Sequence, residues 1–163
     1  MSLTRRLVFG SNPRRTIVRI AVLAAVSFVT FSWILIPMRA DGASMQPTYE
    51  SGSFHLVNRL AFTLHSPTRG DVIGIRLAGP HVLYVKRIIA LPGERFEIVD
   101  GEVRINGSRL DEPYVQQRIP WNVPAVTLTS REYYVIGDNR GMPARDHSFG
   151  RIDASRIVGK VIF

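Results

Sequence analysis

Lysine is rare in this chain, and one lysine lies where its chemistry could be used. Of 21 basic side chains in 163 residues, only Lys86 and Lys160 are lysines. A buried lysine can lose its proton, whereas an arginine cannot. Lys86 lies in the apolar run LYVKRII, where the loss of water would lower its pKa. Because a neutral lysine can act as general base for a serine hydroxyl, Lys86 is the leading candidate for a catalytic group.

Strand periodicity leaves a second interpretation of Lys86 open. Side chains alternate between the two faces of a strand, so Lys86 would face solvent if its neighbours were the buried residues. The run is too short for its period to decide between the two. Lys160, in VGKVIF, is expected to face solvent or to place a charge at a strand end. The four histidines have no local catalytic signature, so we expect each at the surface or in a loop.

Composition excludes several classes of function. The chain has no cysteine, which excludes disulfides, thiolate chemistry and cysteine zinc sites. No His-Glu-x-x-His pattern and no glycine-rich phosphate loop occur, so we expect no metal and no cofactor. Five arginines and no acidic residue lie in residues 1–19, and the remainder carries a net charge of only +3. Without a basic stripe on the folded part, a nucleic-acid partner is not expected.

Residues 20–38, IAVLAAVSFVTFSWILIPM, contain no charge and predict a membrane anchor. As a helix this run would be about 28 Å long, close to the ~30 Å of a hydrocarbon core. The apolar core of a cleaved signal peptide has only ~7–15 residues. The arginines before the run, against Arg39 alone just after it, predict a cytoplasmic N-terminus at 1–19 and an extracytoplasmic domain at 40–163. The lipid bilayer is then a partner; the alternative is a buried core helix, although such helices are usually shorter and amphipathic.

Beyond the anchor, the pattern is mostly β. Residues 54–62 predict a strand or a short helical turn, and further strands are predicted at 71–77, 82–91, 96–110, 132–138 and 156–163. The pairs Asp100-Gly101 and Asn106-Gly107 predict hairpin turns. The stretch 111–130, which prolines interrupt, is predicted to be a loop, and a helical turn is expected near 153–157. The fold class is therefore mostly β: a small coiled-sheet or β-barrel-like domain preceded by one N-terminal transmembrane helix.

Several stretches together carry a family resemblance. They are GASMQPT (42–48), RGDVIGIR (69–76), YVKRIIALPGE (84–94), GDNR (137–140) and FGRI (149–152). In this order they resemble the sequence boxes of the type I signal peptidases, which are membrane-bound Ser-Lys proteases. The match covers most of residues 40–95 and 132–152.

The resemblance implies a role for each matching position. Ser44 falls at the position of the family's nucleophile and Lys86 at that of its general base. Arg87 and Asp138 match an ion pair that holds the lysine-bearing strand against the last box. The Ser44 amide would be one oxyanion donor. The remaining matches, at the oxyanion hole and the substrate groove, are Gly42, Met45, Tyr84 and Val85.

The sequence departs from the family after GDNR, where it reads GMPARDHSFG. Pro143 stands where a serine commonly hydrogen-bonds the base lysine, and Arg145 stands in place of an aspartate. Asp146 and Ser148 are the nearest substitutes for these two side chains. This departure is compatible with a weak enzyme or a narrow range of substrates.

The resemblance implies an endopeptidase that removes N-terminal signal peptides from exported preproteins at the outer face of a bacterial plasma membrane. Only six residues separate Met38 from Ser44, at most ~20 Å of extended chain, so the nucleophile stays near the membrane. The family prefers small residues, such as alanine, at the first and third positions before the cut. Two alternatives remain: a dedicated Ser-Lys maturation peptidase of a conjugation or secretion system, and a catalytically weak, membrane-anchored peptide-binding module.

Overall fold

The computed structural model describes residues 12–76, 83–146 and 150–162. The chain forms two compact units, Met1–Ile36 and Pro37–Phe163. In the first, helix α1 covers Pro13–Val29 and continues as a π-helical turn over Thr30–Ile34. Together these residues form the one helical segment of the described ranges that is long and apolar enough to cross a membrane.

The helix does not have the bounds of the apolar run 20–38. It begins at Pro13 because Asn12 caps it, accepting a hydrogen bond from the Arg15 amide on its side-chain oxygen at 3.3 Å. It ends before Pro37, which has no amide hydrogen and disfavours helical backbone at the residue before it. Strand β1, Leu35–Arg39, is extended instead. Hydropathy locates the span, but these local signals set the ends of the helix.

The second unit is built from two antiparallel sheets, which confirms the mostly β fold class. The larger sheet has the order β1-β2-β11-β3-β4-β9-β10, and the smaller has the order β7-β6-β5-β8. The strands are β1 Leu35–Arg39, β2 Phe54–Asn58, β3 Val72–Ile75, β4 Tyr84–Ala90, β5 Arg95–Val99, β6 Glu102–Ile105, β7 Ser108–Arg109, β8 Val123–Thr127, β9 Glu132–Ile136, β10 Gly150–Asp153 and β11 Ile157–Ile162.

Most strand and turn predictions are confirmed. Asp100-Gly101 joins β5 to β6 and Asn106-Gly107 joins β6 to β7, and all four residues have positive φ as this kind of turn requires. The expected helical turn is a 3-10 helix over Ala154–Arg156. In 54–62 only Phe54–Asn58 is a strand.

Besides β1, most of which lies in the run predicted as the anchor, two strands were not predicted. The stretch 111–130 contains β8, which pairs with β5 at the edge of the smaller sheet. Pro124 interrupts its pattern, but an edge strand tolerates a proline because its free amides need no ladder partner. Strand β10, only four residues long, pairs with β9. The loop prediction for 111–130 is therefore wrong over Val123–Thr127.

Strand β4 is buried on both faces, which fixes the strand that carries Lys86. Ile88 belongs to one apolar cluster and Ile89 to the other. The cluster of Ile89 joins the two sheets through Phe96, Ile98, Tyr134 and others. The cluster of Ile88 lies around Ile73 and Val135. Burying such isoleucines stabilises the fold by about 1.5–3 kcal/mol each relative to exposing them. The N-terminal half of β4 is thereby held on a rigid support.

Candidate active site

The structure brings Ser44 and Lys86 together. Lys86 Nζ lies 2.6 Å from Ser44 Oγ, although 42 residues separate the two in the chain. Lys86 is only 3% exposed, so the solvent-facing interpretation of this lysine is wrong. Its strand pairs with β3 at Ile73, which is fully buried. A serine nucleophile and a lysine base would need to lie within such a hydrogen-bond distance.

Burial also changes the protonation of Lys86. Loss of water lowers the pKa of Lys86 from 10.5 to about 8, and the carboxylate of Asp138 opposes this only in part. Near neutral pH a useful fraction of the amine is therefore unprotonated. An arginine at this position would stay charged.

The GDNR segment holds the turn that carries Ser44. The backbone amide of Asn139 donates to the Ser44 carbonyl at 3.1 Å, and its side-chain amide donates to the Ala43 carbonyl at 3.0 Å. Gly137 lies so close that a Cβ atom there would collide with the Ser44 carbonyl oxygen. A glycine is thus needed for the two backbone segments to meet.

Arg87 and Asp138 form the expected pair. Arg87 donates from Nε at 2.8 Å and from Nη2 at 2.5 Å to the two carboxylate oxygens of Asp138, which is 1% exposed. Thr48 adds a hydroxyl hydrogen bond of 2.5 Å to the same carboxylate. The three segments that carry Ser44, Lys86 and the GDNR box therefore meet at Asp138. A buried, bidentate ion pair of this kind fixes the relative position of the two side chains more tightly than a single hydrogen bond does.

A cavity of about 370 Å³ lies beside Ser44 and Lys86. One wall is the segment Met38–Gly42, and the other is Leu83–Lys86. Strand β4 pairs with β3 over Tyr84–Arg87, but β9 joins its other edge only from Arg87 onward. Among the described residues, no strand covers that second edge at Tyr84–Lys86. All the residues that the resemblance assigns to the groove line this cavity: Gly42, Met45, Tyr84 and Val85.

Two backbone amides near Ser44 differ in whether they already donate a hydrogen bond. Within the described ranges, no group accepts a hydrogen bond from the Ser44 amide, so it can serve an oxyanion. The Gly42 amide donates to the Ser51 hydroxyl at 3.1 Å. Gly42 has a φ of 97°, and it shapes the wall of the cavity while its N–H is engaged elsewhere.

Asp146, which the sequence offers as a substitute near Lys86, is not brought to it. Asp146 is exposed in a 3-10 helix, with a carboxylate oxygen 3.8 Å from Arg145 Nε, and no hydrogen bond or ion pair joins these two described residues, Asp146 and Lys86. Pro143 is exposed, and its carbonyl accepts the Asp146 amide at 2.9 Å. Ser148 lies outside the described residues, so its role stays a prediction.

Comparison with known proteins identifies the family of this chain. A family model described as signal peptidase, peptidase S26, matches residues 14–163. The chain belongs to the signal peptidase family. Signal peptidase IB of Staphylococcus aureus is 30% identical over 165 residues, covering 90% of this chain and 86% of the relative. A protein named probable signal peptidase I-1, from Synechocystis, is 31% identical over 137 residues, covering 78% and 69%.

A solved structure is also similar. The crystal structure of a signal peptidase I from Enterococcus faecalis is 28% identical and has a TM-score of 0.48, covering 60% of this chain and 97% of that one. Membership of the signal peptidase family makes the chain a peptidase. Among the described residues, no group of three or more metal-ligating side chains occurs.

A buried ion pair behind the GDNR box was missed by sequence reasoning. Arg140 is fully buried and donates to the Gly137 carbonyl at 2.9 Å and to Glu112 at 2.5 Å. Glu112 is 3% exposed and also accepts from Tyr114 at 3.0 Å. The ring of Tyr114 in turn lies under the Arg87 guanidinium, with 4.0 Å between the ring centroid and Arg87 Cζ. Nothing in the pattern of 111–118 marks Glu112 as buried, because only the fold brings Arg140 to it.

The remaining predicted positions have structural contacts. Lys160 donates to the nearly buried Asp71 at 2.6 Å, so it holds two strand regions together while remaining partly exposed. His65 is exposed in a turn, as expected. His55 lies on β2 instead, half-buried, 2.7 Å from the Ser53 hydroxyl and edge-on to Tyr49. His81 and His147 lie outside the described residues.

Proposed function

We propose that this protein is a signal peptidase of the Ser-Lys type, which removes N-terminal signal peptides from exported preproteins. The observation that carries the proposal is the 2.6 Å distance between Lys86 Nζ and Ser44 Oγ, with the lysine almost completely buried. Membership of the signal peptidase family and the names of its relatives support the substrate class. Ser44 is the nucleophile and Lys86 the general base.

Acylation starts when the neutral Lys86 amine accepts the proton of the Ser44 hydroxyl. Ser44 Oγ attacks the carbonyl carbon of the scissile bond, and the carbonyl oxygen becomes negatively charged. The Ser44 amide stabilises this charge, a type of contribution typically worth about 3–4 kcal/mol per donor. The Lys86 ammonium then gives its proton to the departing amine, and an acyl-enzyme remains.

Deacylation repeats these steps with water. Lys86, neutral again, accepts a proton from a water molecule that attacks the Ser44 ester. The tetrahedral intermediate collapses, and Oγ recovers its proton from the ammonium. One lysine therefore serves both half-reactions, which requires a pKa near the working pH.

The signal peptide would bind in the cavity as an added strand. The free edge of Tyr84–Lys86 offers backbone hydrogen bonds, and the segment Met38–Gly42 closes the other side. In an extended peptide, alternate side chains point the same way, so the first and third residues before the cut would enter the protein. Met45, Tyr84 and Val85 line this space and would contact those side chains.

The site would act at the outer surface of a bacterial plasma membrane. The helical segment Pro13–Ile34 has a mean hydropathy of 2.1 and the length to span a bilayer once. The arginines that precede the apolar run favour a cytoplasmic N-terminus. The catalytic unit then lies outside, within reach of cleavage sites that emerge at the membrane surface, which raises the effective substrate concentration.

Cleavage of a preprotein by the detergent-solubilised chain tests the proposal. The unmodified protein should release a signal peptide, and Ser44→Ala and Lys86→Ala should each abolish release while leaving the fold intact. Lys86→Arg should be equally inactive, because a guanidinium cannot accept the serine proton. Activity in Lys86→Arg would assign the base to another residue.

The choice of substrate separates the alternatives. Processing of many unrelated preproteins supports a general signal peptidase, and processing of only one supports a dedicated maturation peptidase. Binding of signal peptides without any release would leave the peptide-binding module.

A further inference from the structure

The segment 111–119 connects the smaller sheet to the candidate active site. It lies between β7, which ends at Arg109, and β8, which begins at Val123, and it is outside the stretches that carry the family resemblance. Its partly buried Tyr114 and Ile119 pack against the apolar cluster that joins the two sheets. The segment therefore has its own support on the apolar core.

Both oxygens of the buried Glu112 carboxylate accept hydrogen bonds. Oε1 accepts from Arg140 Nη2 at 2.5 Å and from the Tyr114 hydroxyl at 3.0 Å. Oε2 accepts from Arg118 Nη2 at 3.3 Å and from Arg140 Nη1 at 3.4 Å. Burial and the nearby Glu112 carboxylate raise the pKa of Tyr114, so its hydroxyl stays protonated and can donate. Hydrogen bonds to a charged acceptor are strong, and together they fix this carboxylate in one place.

Arg140 connects Glu112 to the turn that carries Ser44. Its Nε donates to the Gly137 carbonyl at 2.9 Å, and Gly137 packs directly against the Ser44 carbonyl. The Ile119 amide donates to the Arg140 carbonyl at 3.3 Å, so the same segment holds Arg140 by its side chain and by its backbone. The position of the Ser44 turn therefore depends on a carboxylate that does not touch it.

A second set of contacts leads from Glu112 to the strand of Lys86. The Tyr114 hydroxyl donates to Glu112, and the Tyr114 ring lies under the Arg87 guanidinium. Arg87 directly follows Lys86 on β4 and forms the bidentate pair with Asp138. A guanidinium that stacks on a ring and pairs with a carboxylate is restricted by both contacts. Glu112 thus supports the surroundings of the lysine as well.

We propose that Glu112 is a positioning residue for Ser44, acting through Arg140 and the Gly137 carbonyl. The inference rests on the proposed role of Ser44 as the nucleophile. Without the charge of Glu112, the fully buried Arg140 has no carboxylate partner among the described residues. An unpaired buried charge is costly, so the guanidinium is expected to turn away from Gly137. The Ser44 turn then shifts, which slows the attack of Oγ and leaves the binding of substrate unchanged.

Glu112→Gln in the full-length, detergent-solubilised protein tests this role, because glutamine keeps the shape of the side chain and loses its charge. We expect kcat for preprotein cleavage to fall roughly tenfold and KM to stay within about twofold. Circular dichroism confirms that the variant is folded at the assay temperature. Should Glu112→Gln not fold, Glu112→Asp keeps the charge, shortens the side chain and is measured in the same way, with the same loss of kcat expected.

Glu94→Gln is the matched control. Glu94 also accepts from an arginine, Arg69 Nη2, at 2.5 Å, and it is partly buried. It lies in the turn that follows β4, beyond the end of the strand that is distant from Lys86. This control should lose stability and keep its kcat. An equal loss of kcat in the two variants would show that breaking any such ion pair slows the enzyme, and the proposal would fail.

A pH profile distinguishes positioning from a general loosening of the site. If Glu112→Gln moves only the Ser44 turn, kcat/KM should level off at a lower value and keep its inflection near pH 8, the pKa to which burial lowers Lys86. If water instead reached Lys86, the inflection would move towards the ordinary lysine value of 10.5. That outcome would overturn the proposal, and so would an unchanged kcat.

The double variant Glu112→Gln with Gly137→Ala tests the route. Gly137→Ala disturbs the contact with the Ser44 carbonyl directly. A second change that acts through the same contact should add less than about twofold to its loss of kcat, whereas independent losses would multiply and overturn the route. Ser44→Ala separates this inference from the proposed function. Cleavage by Ser44→Ala would overturn both, and an inactive Ser44→Ala beside a fully active Glu112→Gln would overturn the inference alone.

Discussion

A single buried amine determines the pH range in which the enzyme would work. Burial holds the pKa of Lys86 at about 8, so the reactive neutral form increases as the pH rises through that value. We expect kcat/KM for a signal-peptide substrate to rise about tenfold per pH unit below this pKa and to level off above it. The measurement is a pH profile with the substrate concentration well below KM. An inflection near ~6.5, the ordinary value for histidine, would contradict a lysine base.

The same burial should make Lys86 costly for stability. Its pKa is lower in the folded than in the unfolded chain, so the cost is fully present below about pH 8 and is lost as the pH rises towards 10.5. Lys86→Met keeps the volume without the charge, and we expect it to raise the free energy of unfolding at neutral pH by about 1–3 kcal/mol. Denaturant titrations at several pH values should show this advantage shrinking in alkali.

Lys160→Met provides the matched control. Lys160 is the other lysine of the chain, and it donates to the nearly buried carboxylate of Asp71. Removing it leaves that carboxylate without its cation, so this variant should be less stable than the unmodified protein. A Lys86→Met variant that is as unstable as Lys160→Met would show that the base does not strain the fold.

At the scale of structural elements, the position of the turn that carries Ser44 depends on the contact of this turn with the end of β9. Gly137→Ala would push a methyl group into the Ser44 carbonyl, and backbone on both sides resists movement. We expect a loss of about a hundredfold in kcat, because small displacements of a nucleophile are costly. Gly141→Ala is the control: its nearest neighbour is the end of the Gln117 side chain at 3.2 Å, which can rotate away. Equal activity of the two variants would argue against a positional role for Gly137.

The strands and turns near the site could largely be predicted from local pattern. The β-branched runs and the Asp-Gly and Asn-Gly pairs indicate β3 to β7 because their signals lie within a few residues. Strand β8 could not be recognised, since Pro124 breaks its pattern and its pairing with β5 is remote in sequence. Periodicity also could not decide which way Lys86 faces. That depends on the Ser44 turn, which only tertiary contacts bring to Lys86.

The resemblance supplied what periodicity could not for Ser44, Lys86, Arg87 and Asp138. The resemblance did not predict that Glu112 is buried, because this burial depends on an ion pair with Arg140, which is distant in the chain. It also left open what orients the lysine, and the structure does not bring Asp146 there. Long-range polar contacts are thus the part of the site that one sequence leaves undetermined.

At the scale of the whole molecule, the orientation in the membrane can be tested with single cysteines. The chain has none, so Ser2→Cys and Ser108→Cys each introduce one thiol. In intact bacterial cells, a maleimide that cannot cross membranes should label the Ser108→Cys variant, because positive charge retains the N-terminal end in the cytoplasm. The Ser2→Cys variant should be labelled only after permeabilisation. The reverse pattern would place the catalytic unit in the cytoplasm.

The position of the final strand has a consequence for how such a protein matures. Strand β11 holds the last described residues of the chain, yet it lies between β2 and β3 inside the larger sheet. If the N-terminal end stays in the cytoplasm and the chain beyond the anchor is exported in sequence order, Ser44 emerges well before β11. Until then β2 and β3 have no common neighbour, and the sheet that carries Lys86 is incomplete. A newly made copy should therefore stay inactive until β11 has been exported, and before that point it would not cut the chains beside it.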